Sequence, residues 1–165
     1  MQAIVIIKIC VHVQHCFHEH IFCKTTFHVN ILFSGTSLFT ATHGQTISGL
    51  NNIRFPNIIA NIANDYNATS GKFTCRIPGE YWFSVSLVRS NGQAYGITCH
   101  ILINETAKIT FYTPNENGDH ATASATAGFH LSRGDRVNIG QCSYGEHIFS
   151  GSETYFSGVL VTPDL

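Results

Sequence analysis

The chain reads as an all-β sandwich or jelly roll. Three observations lead there. Runs of alternating apolar and polar residues recur at short, regular spacing. Turn signals containing glycine separate them: Ser70-Gly71, Pro78-Gly79, Asn91-Gly92, Asn117-Gly118 and Arg133-Gly134-Asp135. No window of that region carries a helical period with caps.

The elements follow in chain order. Residues 1–36 are set apart as an N-terminal leader, in which short-spaced apolar residues are broken by His and Cys. After Ser34-Gly35-Thr36-Ser37 the pattern settles, and residues 37–165 are read as one globular domain. LFTATH (38–43) alternates as a strand. GKFTCRI (71–77), GEYWFSVSLVRS (79–90), AYGITCHILIN (94–104) and AKITFYT (107–113) are further strands. ATASATAGFHLS, DRVNIGQCSYG and YFSGVLVTP close the chain. In GEYWFSVSL, Tyr81, Phe83, Val85 and Leu87 form an apolar face for the core, while Trp82, Ser84, Ser86 and Val88 face the other way.

Composition limits the function. With 165 residues the chain suits one domain with a real core. A formal net charge of -1 gives no electrostatic reason to expect nucleic acid or an anionic membrane. No apolar run reaches membrane-spanning length. No internal repeat or Gly-X-Y tract is visible. Catalysis finds little support: there is no G-x-S-x-G elbow and no phosphate loop, and His100, Glu146 and His147 form no evident constellation. No cofactor is expected.

The tract CVHVQHCFHEHIFC (10–23) holds three cysteines and four histidines. Structural zinc sites use pairs such as C-x2-C. Cys10, Cys16 and Cys23 are instead spaced by five and six residues, and only His15, His18 and His20 could hold a metal loosely. The tract is read as part of the leader, with no metal site assigned. The leader is also a poor signal peptide: Lys8 interrupts its apolar run and no A-x-A-like site follows.

FPNIIANIANDYNATSGKFTCRIPGEYWFSV (55–85) carries a fixed spacing of Phe55, Asn61, Tyr66, Phe73, Gly79, Tyr81 and Phe83. This resembles the aromatic signature of the globular domain of complement C1q. SLFTAT resembles that family's first strand, and GDRV and YFSGVLVTPD its last two. Val85 stands where the family prefers Phe or Tyr, and is still a good strand residue. The likeness covers residues 37–165. It implies a ten-stranded jelly roll of the C1q and tumour necrosis factor type, without a collagen stalk. It implies a compact homotrimer with self as partner, no enzymatic activity and an extracellular location. The ligand expected is a carbohydrate or microbial surface component, as in innate immunity. The alternative is a secreted ligand or matrix component acting through a host receptor or by self-assembly.

The same likeness bears on single residues. In the family the outward face of the strand carrying Trp82 points to the threefold axis, so Trp82 is the candidate for the trimer interface. The strands carrying Cys99 and Cys142 are neighbours by family topology, which makes them a candidate disulfide and leaves Cys75 as a buried thiol. Family members can bind calcium near the trimer top, where Asn115-Glu116-Asn117-Gly118-Asp119 occupies a similar loop; the match is not residue for residue and no site is carried over. Arg133-Gly134-Asp135 matches the family's turn before a strand rather than an adhesion motif. Two N-glycosylation sequons, Asn67-Ala68-Thr69 and Asn104-Glu105-Thr106, point outside the cell.

Overall fold

A computed structural model describes residues 35–46, 52–90, 95–114, 120–144 and 148–164. Twelve strand segments are found among them: β1 (Leu38–Thr42), β2 (Gln45–Thr46), β3 (Ile53–Arg54), β4 (Asn57–Ile62), β5 (Tyr66–Asn67), β6 (Lys72–Thr74), β7 (Gly79–Arg89), β8 (Thr98–Ile103), β9 (Thr106–Tyr112), β10 (Ala121–Leu131), β11 (Arg136–Ser143) and β12 (Tyr155–Pro163). Every pairing is antiparallel, and the segments form two sheets. One runs β10-β7-β12-β1-β4. The other runs β2-β3-β11-β6-β5, with β8 pairing β11 and β9 pairing β8. The chain is thus an all-β jelly roll. The count differs from the ten expected: β2, β3 and β5 are two-residue pieces, and the other nine segments have three or more residues. β4 is not among the strands that alternation predicts: NIIANI does not alternate cleanly, and a bulge at Thr40/Ala41 breaks its register with β1.

Alternation on each strand builds the core. Tyr81, Phe83, Val85 and Leu87 of β7 are all at most 1% exposed. Phe39 of β1 stacks on Tyr66 at 4.7 Å between ring centroids and meets Phe156 edge-on at 4.9 Å. Phe73 meets Phe83 edge-on at 5.4 Å. These rings come from both sheets, so aromatic contact joins the two layers.

The signature positions divide into three kinds. Phe55, Tyr66, Phe73, Tyr81 and Phe83 are core. Burial pushes the Tyr66 hydroxyl up to about 12 and raises that of Tyr81 as well. Both are satisfied: Tyr66 Oη accepts from Phe55 N at 3.0 Å, and Tyr81 Oη donates to Ile77 O at 2.7 Å. Asn61 is half-buried and clamps a turn instead. Its Nδ2 donates to Tyr66 O and its Oδ1 accepts from Tyr66 N. Gly79 has φ +151°, and a Cβ there would lie 2.2 Å from Thr162 O, so the register of β7 against β12 requires glycine.

A buried carboxylate ties the domain's first residues to the segment before β7. Asp65 accepts from Ser37 Oγ at 2.7 Å and pairs with Arg76. Thr36–Asp164 forms one compact unit. The leader, with its Cys/His tract, lies outside the described residues apart from Gly35 and Thr36.

Candidate functional site

The pairing registers of the five-stranded sheet place its outward side chains in rows. One row runs Gly128, Trp82, Val159, Leu38, Ile62 across β10, β7, β12, β1 and β4. The next runs Thr126, Ser84, Ser157, Thr40, Ala60, and the third Ser124, Ser86, Tyr155, Thr42, Asn57. No side chain in these rows is charged at neutral pH. Among the described residues charge flanks these rows: at one end Glu80 and His130 are paired across β7 and β10 and His130 meets Asp164 at 3.1 Å, and at the other Glu153 stands near Ser86 and Val88.

Trp82 stands in mid-sheet and is 51% exposed. Its indole lies over Gly128: a Cβ at that glycine would come 3.1 Å from Cε3. Gly128 is therefore the seat of the ring, a role its sequence context does not reveal. Beside Trp82 a shallow groove of about 150 Å³ is floored by Gly158 and flanked by Leu38 and Val159. Ile62, at the far end of the row, is 53% exposed. An apolar row across a whole sheet, followed by hydroxyl rows, suits contact with a protein surface better than with water.

The outward set of β7 divides. Ser86 and Val88 are 8% and 9% exposed, because the segment after Ile148 folds back over them. Phe149 N donates to Val88 O at 2.7 Å, and Val88 N donates to Thr154 Oγ1 at 3.2 Å. A pocket of about 380 Å³ forms there, lined by Ser86, Val88, His120, Thr122, Phe149 and Glu153. It lies toward the opposite end of β7 and β10 from Trp82. His120 packs on the Phe149 ring at 5.3 Å, and its Nδ1 donates to Arg89 O at 3.0 Å. Arg89 itself is 1% exposed, with Nη1 directed at Pro114 O. An aromatic wall, a carboxylate and two hydroxyls converge on this pocket. No local motif marks it, because its residues come from three separate stretches.

The other candidates fall elsewhere. Cys99 on β8 and Cys142 on β11 form a disulfide, with Cα atoms 4.2 Å apart. Cys75 is a free, buried thiol whose pKa burial raises. Arg133-Gly134-Asp135 is a turn before β11. Asp135 accepts from Ser132 N and from Asn104 Nδ2, both at 2.8 Å, and these bonds hold its carboxyl below the usual range. Asn67 is exposed at the end of β5, before the turn to β6, and Asn104 is exposed between β8 and β9. The 115–119 loop, Glu146 and His147 lie outside the described residues. Among the described residues no group of three or more His, Cys, Asp or Glu side chains could hold a metal, and no helix is long and apolar enough to cross a membrane.

Comparison with known proteins gives a consistent result. A complement C1q subcomponent subunit of the rat, Rattus norvegicus, is 32% identical over 131 residues, covering 78% of this chain and 51% of the relative. Human complement C1q tumor necrosis factor-related protein 2 is 31% identical over 117 residues, covering 68% and 39%. The chain thus spans about half the length, or less, of these curated relatives. Among solved structures, the globular domain of zebrafish complement 1qA superposes with a TM-score of 0.60 at 18% identity, over 79% of this chain and 100% of that one. Eiger TNF from S. frugiperda also gives 0.60, at 12% identity over 79% and 94%. The family model for the C1q domain matches residues 38–161, and the chain belongs to the C1q domain family.

Proposed function

We propose that this protein is a secreted, non-enzymatic recognition module that works as a homotrimer and binds carbohydrates or microbial surface components. The observation that carries the assembly is the set of uncharged rows on the outer face of the five-stranded sheet, with Trp82 half-exposed on β7. A large aromatic on such a surface is costly in water and favourable against a partner copy. Ligand recognition is supported by family membership and by the pocket beside Phe149. Sugars present apolar C–H faces and many hydroxyls. An aromatic wall with Glu153, Ser86 and Thr122 around it offers a partner for each.

Two measurements test this. The mass in solution at micromolar concentration is expected to be that of a trimer, and Trp82→Glu is expected to shift it toward monomer, since unpaired charges brought together at an interface are costly. A trimeric Trp82→Glu variant removes Trp82 from the interface; a monomeric wild type removes the trimer. A panel of glycans and bacterial surface components tests the ligand class. Binding to none of them, alongside tight binding to a host membrane protein, favours the second reading: a secreted ligand or matrix component. That reading draws support from the likeness to the C1q tumor necrosis factor-related relative.

A further inference from the structure

The two sequons differ in what the fold does with their amide groups. Asn104 and Glu105 form the two-residue turn joining β8 to β9, both with positive φ (50° and 64°). Asn104 Nδ2 donates to Asp135 Oδ1 at 2.8 Å, and its Oδ1 accepts from Arg136 N at 3.0 Å. Both ends of this amide are engaged. Asn67 is arranged differently. Its Oδ1 accepts from Thr69 N and Ser70 N at 2.9 and 3.0 Å, closing its own turn, and its Nδ2 meets no acceptor among the described residues.

Asn67 also borders a groove of about 330 Å³, together with Ile58, Asn61, Asn64, Tyr66 and Ala68. One wall of that groove belongs to β4, which ends the sheet order and, among the described residues, pairs only with β1. Ile58 and Ile59 on this edge strand are 39% and 65% exposed. An unpaired strand edge with exposed isoleucines is a template for another chain. Natural edges of this kind are blunted by charge, by proline or by a cover. NIIANI contains neither charge nor proline.

We propose that Asn67 carries an N-linked glycan that lies along this groove and covers the β4 edge, while Asn104 remains unmodified. The inference rests on the secreted reading above, because the donor is a lipid-linked oligosaccharide diphosphate of the secretory pathway. In the transfer, Asn67 Nδ2 forms a bond to the anomeric carbon. The C–O bond to the diphosphate breaks with its electron pair leaving on the diphosphate, and Nδ2 loses one proton. At Asn67 the product keeps Oδ1 for its two turn hydrogen bonds, and only an N–H without a protein acceptor is lost. At Asn104 the same substitution falls on the nitrogen that holds Asp135. The groove suits the first sugar residues: Ile58 offers an apolar wall, and the Asn64 side chain offers a polar partner.

The test directs the full chain into the secretory pathway of a eukaryotic host with a heterologous leader, so that a weak native leader does not decide the outcome. Intact mass is expected to show one glycan. That glycan is expected to vanish in Asn67→Gln and in Thr69→Ala, the second of which leaves the Asn67 side chain in its turn, and to persist in Asn104→Gln. Removing the glycan enzymatically from folded protein is expected to raise light scattering over time. A glycan on Asn104, a bare Asn67, or deglycosylated protein as monodisperse as the glycosylated form would each overturn the proposal. Ligand binding is read separately on the glycan panel, so a failure here is distinct from a failure of the recognition reading.

Discussion

The two sheets are alike on the inside and unlike on the outside. Both send alternating aromatic and branched side chains into one core. Outward, the five-stranded sheet presents three rows without charge. The other sheet presents Lys72, Lys108 and Arg136, all exposed or half-buried, and Lys72 reaches Glu105 in a salt bridge of 2.5 Å. Solvated sheet faces carry charge because charged groups gain most from water. The proposed subunit contact rests on the rows of the five-stranded sheet that lack it. The contrast teaches that inward alternation specifies the sandwich, while the outward residues give the two sheets different surfaces.

The sharpest way to break that contrast is to place charge on each face in turn. Trp82→Glu is expected to dissociate the assembly, whereas Lys108→Glu on the opposite sheet is expected to leave the mass in solution unchanged. Equal effects from both would show that the faces do not differ in role. Within β7 the same contrast separates neighbouring residues. Phe83 is fully buried among Phe73, Phe156 and Phe39, so Phe83→Ala is expected to cost about 3–5 kcal/mol of domain stability. Trp82→Ala is expected to cost the isolated subunit far less. Urea unfolding of a monomeric background compares the two.

Two further changes probe the charged sheet. Cys99 and Cys142 close a loop of sequence separation 43, and replacing both with Ala is expected to lower stability by about 2–4 kcal/mol. Thiol counting on denatured, unreduced protein is expected to find neither of them free. The smallest effect concerns Asp135. Its folded pKa is lowered, first by the Asn104 hydrogen bond and then by Ser132 N. A depressed carboxyl contributes stability that is complete above its unfolded value of about 3.9 and is lost as pH falls through the folded value. The stability gap between wild type and Asp135→Asn is therefore expected to be open near neutrality and to close on acidification. A gap independent of pH would mean that the carboxylate charge does not matter there.

Much of the fold is legible in a thirty-residue stretch. Phe55, Tyr66, Phe73, Tyr81 and Phe83 are large, apolar and spaced by strands and turns, so their burial follows from their chemistry. Their family spacing also points to the jelly roll. β4 is harder to read, because an edge strand with a bulge is free of the strict alternation that a covered strand obeys. Asp65 escapes notice for a related reason. A lone acid between Asn64 and Tyr66-Asn67 reads as a solvated turn, and only the approach of Ser37 and Arg76 makes it a buried clamp.

The sequence by itself determined the inward half of every long strand, since period-two alternation assigns side chains to faces before any partner is known. It also determined where the chain turns, because glycine at Gly79 and Gly134 permits backbone angles that other residues resist. The tertiary structure alone decided what stands beside what on the outside. Gly128 seats Trp82 although 46 residues separate them, and Asn67 and Asn104 share a motif yet differ in what their amides touch. The physical reason is that alternation is a local property of one strand. Neighbourhood across a sheet depends on register, which is set by pairing between segments far apart in the chain.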